Sequence, residues 1–326
     1  MSAIRQQKDS RDGGPAVTAV ICTYDRYDLL TGAIDSLTRQ TLPADQLEIL
    51  VVDNSPDHAH SQKVSKNFAG IPNLKWLMET RPGLSNARNV AIREARAPIV
   101  AFMDDDAAAE PTWLEWLLKA FQRFGDDAVA AGGRVKPIWA VDRPAWLHEK
   151  LLGYVSVVDW GGITRFAAPQ EWVAGTNIAF RVEPLRKVGG FSVHLGRNRG
   201  GHALLSNDET EVVEKLTAAG GRLLYVPEAI VNHLVPPERL TQAWFRRRVA
   251  WQAVSEYLQR PAELFDRAPA FWNDVTDFYA HLPPKLRTPR GLWAEQRDAE
   301  LFQRQMSAIY NFTVASLAGF HSLEGD

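Results

Sequence analysis

Short apolar runs alternate with segments of helical period from Ala16 onward, and this alternation narrows the available folds more than any other feature of the chain. AVTAVICT reads as a strand; Leu29, Leu30, Ala33, Ile34 and Leu37 follow at helical spacing, and EILVVD and LKWLM are two further runs of strand length. A helix from about Asn86 carries Ala87, Val90, Ala91 and Ala95 on one face, and IVAFM forms a fourth strand. This β-α-β-α-β rhythm calls for a mostly parallel sheet with helices on its faces. Ligands of such sheets bind beyond the carboxyl ends of the strands.

Those ends are chemically loaded. The first strand leads into Thr23, Tyr24, Asp25 and Arg26, the second into Asp53, Asn54 and Ser55, and IVAFM into Asp104, Asp105 and Asp106. Two unit charges about 4 Å apart repel by ~1 kcal/mol even in bulk water, so a positive partner is expected at the triplet. A hard divalent cation, Mn²⁺ or Mg²⁺, suits it, because such ions favour carboxylate and phosphate oxygens and leave positions open for substrate. In an extended segment Asp104 and Asp106 project to one side and Asp105 to the other. One of that pair is a candidate metal ligand and the other a candidate partner for a ribose hydroxyl. Arg88 falls in the first turn of the helix after RPGLSN, where the helix N-terminus favours anions and a guanidinium suits a diphosphate. Ordinary readings stand beside these: turns and caps explain Asn54, Ser55 and Asp28, a solvated turn explains the triplet, and a surface ion pair explains Arg88.

The 326 residues are enough for one large α/β domain or two modest ones, and 45% hydrophobic with 23% charged residues is ordinary for a globular chain. A net charge of −2 gives no electrostatic signature for nucleic acid. The lone Cys22 excludes an internal disulfide framework and a cysteine-rich metal site, and reads as a small buried hydrophobe. Residues 1–15 lack the apolar core of a secretory signal and read as a loose tail; no apolar stretch approaches the ~18 residues that cross a bilayer. A soluble cytoplasmic protein is expected, with peripheral membrane contact as an option.

Beyond Pro111, a helix with Trp113, Trp116, Leu117 and Phe121 leads to AVAAGGRV, read as a short strand with a glycine turn. Residues 137–170 are irregular. EWVAGTNIAFR reads as a strand interrupted at Gly175, LRKVGGF as a helix end with a glycine stop, and Asp208 to Ala219 as a helix that opens on acids. GRLLYVPEAIVNH is a strand followed by an exposed His233, and a lone histidine is ordinarily a structural hydrogen-bonder. From about Pro236 a helical stretch places Trp244, Trp251, Val254 and Leu258 near one stripe, with Arg247 and Arg248 beside it. Such a face suits an anionic membrane surface or packing on the main domain.

Taken in order, CTYDR, VVDNS, RPGLSNARN, FMDDD, AGTNIAFR and an acidic pair followed by YVPEAIVNH resemble the inverting glycosyltransferases of family 2, over roughly Ala16 to Arg239. The resemblance implies the GT-A fold, a Rossmann-like, mostly parallel α/β sheet flanked by helices. It divides the chain into a tail (1–15), a nucleotide-sugar-binding half (16–106), an acceptor-binding half (107–235) and a helical extension (236–326). It implies that Thr23, Tyr24, Arg26 and Asp53 surround the nucleoside, with Asp105 on the same donor side and Arg88 near the diphosphate. Asp104 and Asp106 match the family's Asp-x-Asp, which touches ribose and metal respectively. His233 matches a histidine that reaches metal or diphosphate, and Gly175, Thr176 and Asn177 match a segment that lines the acceptor side.

One departure concerns the base. The family shows Glu-Asp at the start of the late helix, with the Asp as base, whereas this chain has Asp208-Glu209. Adjacent helical side chains point about 100° apart, so one of the two faces the acceptor. Position and reach favour Glu209. Neither the Gln-x-x-Arg-Trp motif nor the membrane helices of the polymerising members are found, which favours single addition. The expected activity is metal-dependent, inverting transfer from a nucleotide-diphosphate sugar, a UDP-sugar by analogy, to a hydroxyl on a glycan or lipid-linked acceptor in polysaccharide or glycoconjugate assembly. A sugar-nucleotide nucleotidyltransferase is one alternative, although CTYDRYD lacks the glycine-rich loop it needs; a non-catalytic nucleotide-sugar or glycan binder is another.

Overall fold

The computed structural model describes residues 13–195 and 204–324; residues 1–12 of the expected tail lie outside them. The alternation appears as β1 (Val17–Thr23), α1 (Tyr27–Thr38), β2 (Leu47–Asp53), α2 (His58–Ser65), β3 (Leu74–Met78), α3 (Leu84–Glu94) and β4 (Ile99–Asp104). These four strands lie parallel in the order β3-β2-β1-β4. β1 and β2 are buried on both faces, which is why they read as near-continuous apolar runs. Glu48, buried within β2, accepts from Thr18 Oγ1 at 2.7 Å and from Arg96 Nε at 2.5 Å, so its charge is matched. The register sets Thr23 beside Asp53 and Cys22 beside Asp104, and the three loaded strand ends emerge at one edge.

The second half contains β5 (Ala107–Ala109), α4 (Trp113–Phe124), β6 (Ala128–Trp139), β7 (Arg165–Phe166), β8 (Ile178–Arg181), α5 (Val182–Lys187), α6 (Asp208–Ala218) and β9 (Arg222–Val235). The described strands make one nine-stranded sheet in the order β3-β2-β1-β4-β8-β6-β9-β5, with β7 paired to β9. Here the sheet is mixed: β8 runs antiparallel to β4 and β6, and β5 antiparallel to β9.

Three local expectations are corrected. Gly132 and Gly133 make no turn but lie inside the 12-residue β6. A Cβ on Gly132 would sit 2.5 Å from Val173 Cβ, and one on Gly133 1.9 Å from the Ala229 carbonyl oxygen, so the glycines permit close approach. The strand expected through EWVAGTNIAFR begins only at Ile178; a turn closed by Asn177 N donating to Ala174 O (2.8 Å) precedes it. His233 is not exposed beyond a strand end. It lies within β9, opposite Ala107 of β5 and Pro137 of β6, and is 2% exposed.

The C-terminal region is helical, with α7 (Gln242–Gln259), α8 (Pro261–Ala280) and α9 (Ala299–Glu324). Thr241 caps α7, its Oγ1 accepting from Trp244 N at 3.2 Å. Phe245 and Val249 of α7, Phe278 of α8 and Phe302 of α9 share a hydrophobic cluster with Leu147, Leu151, Val155 and Val235 of the preceding half. The expected basic aromatic face is largely taken up by packing. Trp244 packs on this cluster, Trp251 and Val254 are half-buried, and only Arg247 and Leu258 of that set are exposed. Among the described residues, no helix is long and apolar enough to cross a membrane.

Candidate active site

A cleft of about 220 Å³ opens beyond the ends of β1 and β4. On one side, Thr23 Oγ1 donates to Asp105 Oδ2 at 2.8 Å, while Arg26 reaches Asp105 Oδ1 at 3.0 Å and Asp106 Oδ2 at 2.8 Å. Burial pushes the Asp105 carboxyl up to about 6 against the pull of Arg26. Burial also works against the charge on Asp106, but His233, Arg26 and Arg239 together outweigh it and hold that carboxyl below the usual range. Asp104 and Asp106 fall on the same side of the segment, and with His233 they offer ligand atoms within 4.8 Å of one another. Asp106 Oδ1 lies 3.4 Å from His233 Nε2 and is otherwise a buried acceptor without a hydrogen bond. Two carboxylates and an imidazole around such an oxygen fit a divalent cation.

Across the cleft, Arg88 is buried between the rings of Phe102 and Phe191, 5.9 and 5.0 Å from their centroids. Because α3 starts at Leu84, Arg88 falls in the second turn, not the first. Its Nη1 donates to Asp208 Oδ2 at 2.7 Å and its Nη2 to the Gly175 carbonyl at 3.4 Å. Glu209 Oε2 and Asp104 Oδ1 are each 4.0 Å away. Gly175 lets the Arg88 and Glu209 side chains approach closely, since a Cβ would lie 2.6 Å from Arg88 Nη2 and 3.3 Å from Glu209 Oε1. The Asp208 side chain is 4% exposed and that of Glu209 23%. Burial opposes ionisation of Asp208, yet Arg88 and its hydrogen bonds hold it below the usual carboxylate range. Glu209 is pushed the other way, by burial first and then by the charge of Asp208.

All but two of the expected site residues line this cleft: Tyr24 and Thr176 do so along with those above, whereas Asp53 and Asn177 do not. Asp53 is fully buried, one oxygen accepting from Tyr27 Oη at 2.8 Å and the other from Ser55 N at 2.9 Å. Asn177 Oδ1 accepts from Trp113 Nε1 at 2.8 Å, and its Nδ2 donates to the Arg134 and Ala229 carbonyls at 3.0 and 2.8 Å. Both side chains are tied into the structure by partners that do not line the cleft. Arg239, 3.8 Å from Asp106 Oδ2, lines the cleft unforeseen, as do Tyr154, Trp172 and Arg248. Arg239 had a usable signal, a cation four residues beyond the strand that carries His233. Tyr154 and Trp172 belong to or border the stretch without period, where no local pattern marks them.

The profile of glycosyl transferase family 2 matches residues 18–188. A glucosyl-dolichyl phosphate glucuronosyltransferase from Haloferax volcanii is 29% identical over 246 residues, covering 74% of this chain and 76% of that protein. The succinoglycan biosynthesis protein ExoM of Rhizobium meliloti is 25% identical over 70% of each chain. Among solved structures, the mannosyltransferase PcManGT from Pyrobaculum calidifontis, in complex with GDP-Man and Mn²⁺, superposes with a TM-score of 0.57 at 21% identity, covering 93% of this chain and 87% of its own. TarS 1-349 of S. aureus in complex with UDP gives 0.51 at 15% identity over 92% and 90%. These two likenesses concern the fold. With the family profile covering more than half of its length, the chain belongs to glycosyl transferase family 2 and is a glycosyltransferase with the GT-A fold.

Proposed function

We propose that the protein transfers a sugar from a nucleotide-diphosphate donor to a hydroxyl acceptor with inversion, in a divalent-metal-dependent reaction with Glu209 as base. One observation carries the reading: the Asp104, Asp106 and His233 cluster shares a cleft with a pair of acids of which Asp208 is tied to Arg88 and Glu209 is the more open. Asp106 and His233 would hold the metal, which when bound neutralises charge on the departing diphosphate. Thr23, Tyr24 and Arg26, with Asp105 fixing the first and third of these, hold the nucleoside, and Asp104 takes a ribose hydroxyl. Arg88, held in place by Asp208, lines the cleft on the side assigned to the diphosphate. Gly175 and Thr176 leave room for the acceptor. Glu209 accepts the acceptor's proton as its oxygen attacks the anomeric carbon from the face opposite the leaving group, and inversion follows. A raised carboxyl pKa suits this work, since a base poised nearer neutrality is the stronger proton acceptor.

Complexes of the structural neighbours with GDP-Man, Mn²⁺ and UDP support a nucleotide-sugar donor and a metal, and the name of the succinoglycan protein supports a saccharide acceptor in polysaccharide assembly. A UDP-sugar is the favoured donor. Thermal melting with UDP-, GDP- and dTDP-sugars, each with Mn²⁺, Mg²⁺ or EDTA, tests this, because a ligand at a hundredfold its dissociation constant stabilises by about 2.7 kcal/mol. A metal-dependent shift with one donor, followed by release of the nucleoside diphosphate, is expected. Pyrophosphate release from a nucleoside triphosphate and a sugar phosphate would replace this reading with nucleotidyl transfer, and donor binding without turnover would replace it with a binding protein.

A further inference from the structure

The residues immediately before the acidic pair are held from outside the family-matched segment. Ser206 and Asn207 precede α6, and Asn207 has φ 72°, a left-handed conformation that a non-glycine residue adopts at some cost. What fixes it is α7. Gln252 accepts from Ser206 Oγ at 3.0 Å through Oε1 and donates to Asn207 Oδ1 at 2.9 Å through Nε2. Ser255, one turn on, accepts from Ser206 N at 3.1 Å through a hydroxyl that is fully buried. Gln252 is itself set by its neighbours: Arg248 Nη1 donates to Oε1 at 3.0 Å, and Nε2 also donates to Glu256 Oε1 at 2.8 Å. Asn207 O then accepts from Glu211 N at 2.9 Å and so opens the helix whose first two residues are Asp208 and Glu209.

We propose that Gln252, with Ser255, is a positioning residue for glycosyl transfer: it holds the Ser206-Asn207 turn that aims Glu209 into the cleft while Asp208 stays on Arg88. The inference rests on Glu209 as base. Every link pairs a donor with an acceptor, and such networks specify one conformation when fully satisfied. Displacing a reacting group by an ångström can cost about a hundredfold in rate, so loosening this turn should be read in turnover.

The test compares Gln252→Met, which keeps length and loses both hydrogen-bonding ends, with Ser255→Ala, Glu209→Gln and the Glu209→Gln/Gln252→Met double variant. The readout is nucleoside diphosphate released from UDP-glucose or GDP-mannose with Mn²⁺, together with donor KM. Gln252→Met should lower kcat about ten- to hundredfold with donor KM within about twofold, and Ser255→Ala should show the same split more weakly. Backbone amide exchange at residues 206–209 should quicken in both. In the double variant the loss should match that of Glu209→Gln alone, because a residue acting through the base has nothing left to position. Multiplied losses in the double variant, or an unchanged kcat in folded Gln252→Met and Ser255→Ala, would overturn the proposal. Full activity in Glu209→Gln would instead remove the base assignment on which it rests. If Gln252→Met does not fold, Ser255→Ala and its double variant with Glu209→Gln decide by the same comparison.

Discussion

At the scale of single residues, the two adjacent acids differ in what burial does to them. Asp208 is matched by Arg88 at 2.7 Å, whereas Glu209 bears the field of Asp208 with Arg88 no nearer than 4.0 Å. We therefore predict that Glu209→Gln lowers turnover by ~10²–10⁴-fold with donor affinity nearly unchanged. Asp208→Asn should act mainly on stability, because it leaves a buried guanidinium without its anion, a loss of about 3 kcal/mol or more in urea unfolding. A larger drop in turnover for folded Asp208→Asn than for Glu209→Gln would exchange the roles. The pH dependence has a definite sign: a base whose carboxyl is raised loses its activity as pH falls through a value above the ordinary carboxylate range, and Glu209→Gln should flatten that acid limb. The Asp triplet at a strand end and the acidic pair at a helix start were legible in the sequence because local pattern marks such ends, whereas for His233, inside β9, and Arg88, in the second turn of α3, it took the resemblance to family 2 to favour a donor-side role over the ordinary reading. That Asp53 and Asn177 turn into the structure was not, since it depends on Tyr27, Ser55, Trp113 and two carbonyls that only folding brings to them.

Among the elements, β6 shows why a sequence pattern can be read two ways. A glycine pair serves a turn or a close contact equally well, and here Val173 and Asn177 against Gly132 and β9 against Gly133 decide. Replacing Gly133 by alanine would force a Cβ to within 1.9 Å of the Ala229 carbonyl, a backbone group that cannot rotate aside. We expect a loss of about 3 kcal/mol in urea unfolding, or no folded protein. Gly32, on the exposed face of α1 with nothing within 4 Å of where an alanine methyl would stand, is the control. Gly32→Ala should be neutral or stabilise by about 0.5–1 kcal/mol. Equal midpoints for the two variants would show that β6 and β9 can separate at Gly133 without cost. The length of β9 was underread for a related reason: β5 and β6 pair on either side of it and carry it past His233 to Val235.

For the whole molecule, the helical C-terminal region shares its hydrophobic cluster with the sheet-bearing part. Leu147, Leu151, Val155 and Val235 are buried against α7, α8 and α9. Deleting residues 236–326 should therefore leave a chain that binds hydrophobic dyes and melts without cooperativity; a cooperative melt with donor binding intact would show that the shared cluster is dispensable. The order of the sheet bears on how the chain acquires activity. β9 lies between β6 and β5 although β5 precedes it by more than a hundred residues, and the acid-histidine cluster joins β4 and its exit to β9. Contacts of such separation form late, after the closure entropy of the intervening loop has been met. A nascent chain that has emerged as far as residue 188 holds the whole family-matched segment, yet has neither His233 nor the acidic pair. Its first four strands can assemble in parallel while the edge of β5 waits for its partner. On the proposed assignment of base and metal ligands, transfer therefore has to wait for β9 and α6, and a chain halted at residue 188 should release no nucleoside diphosphate from a sugar donor.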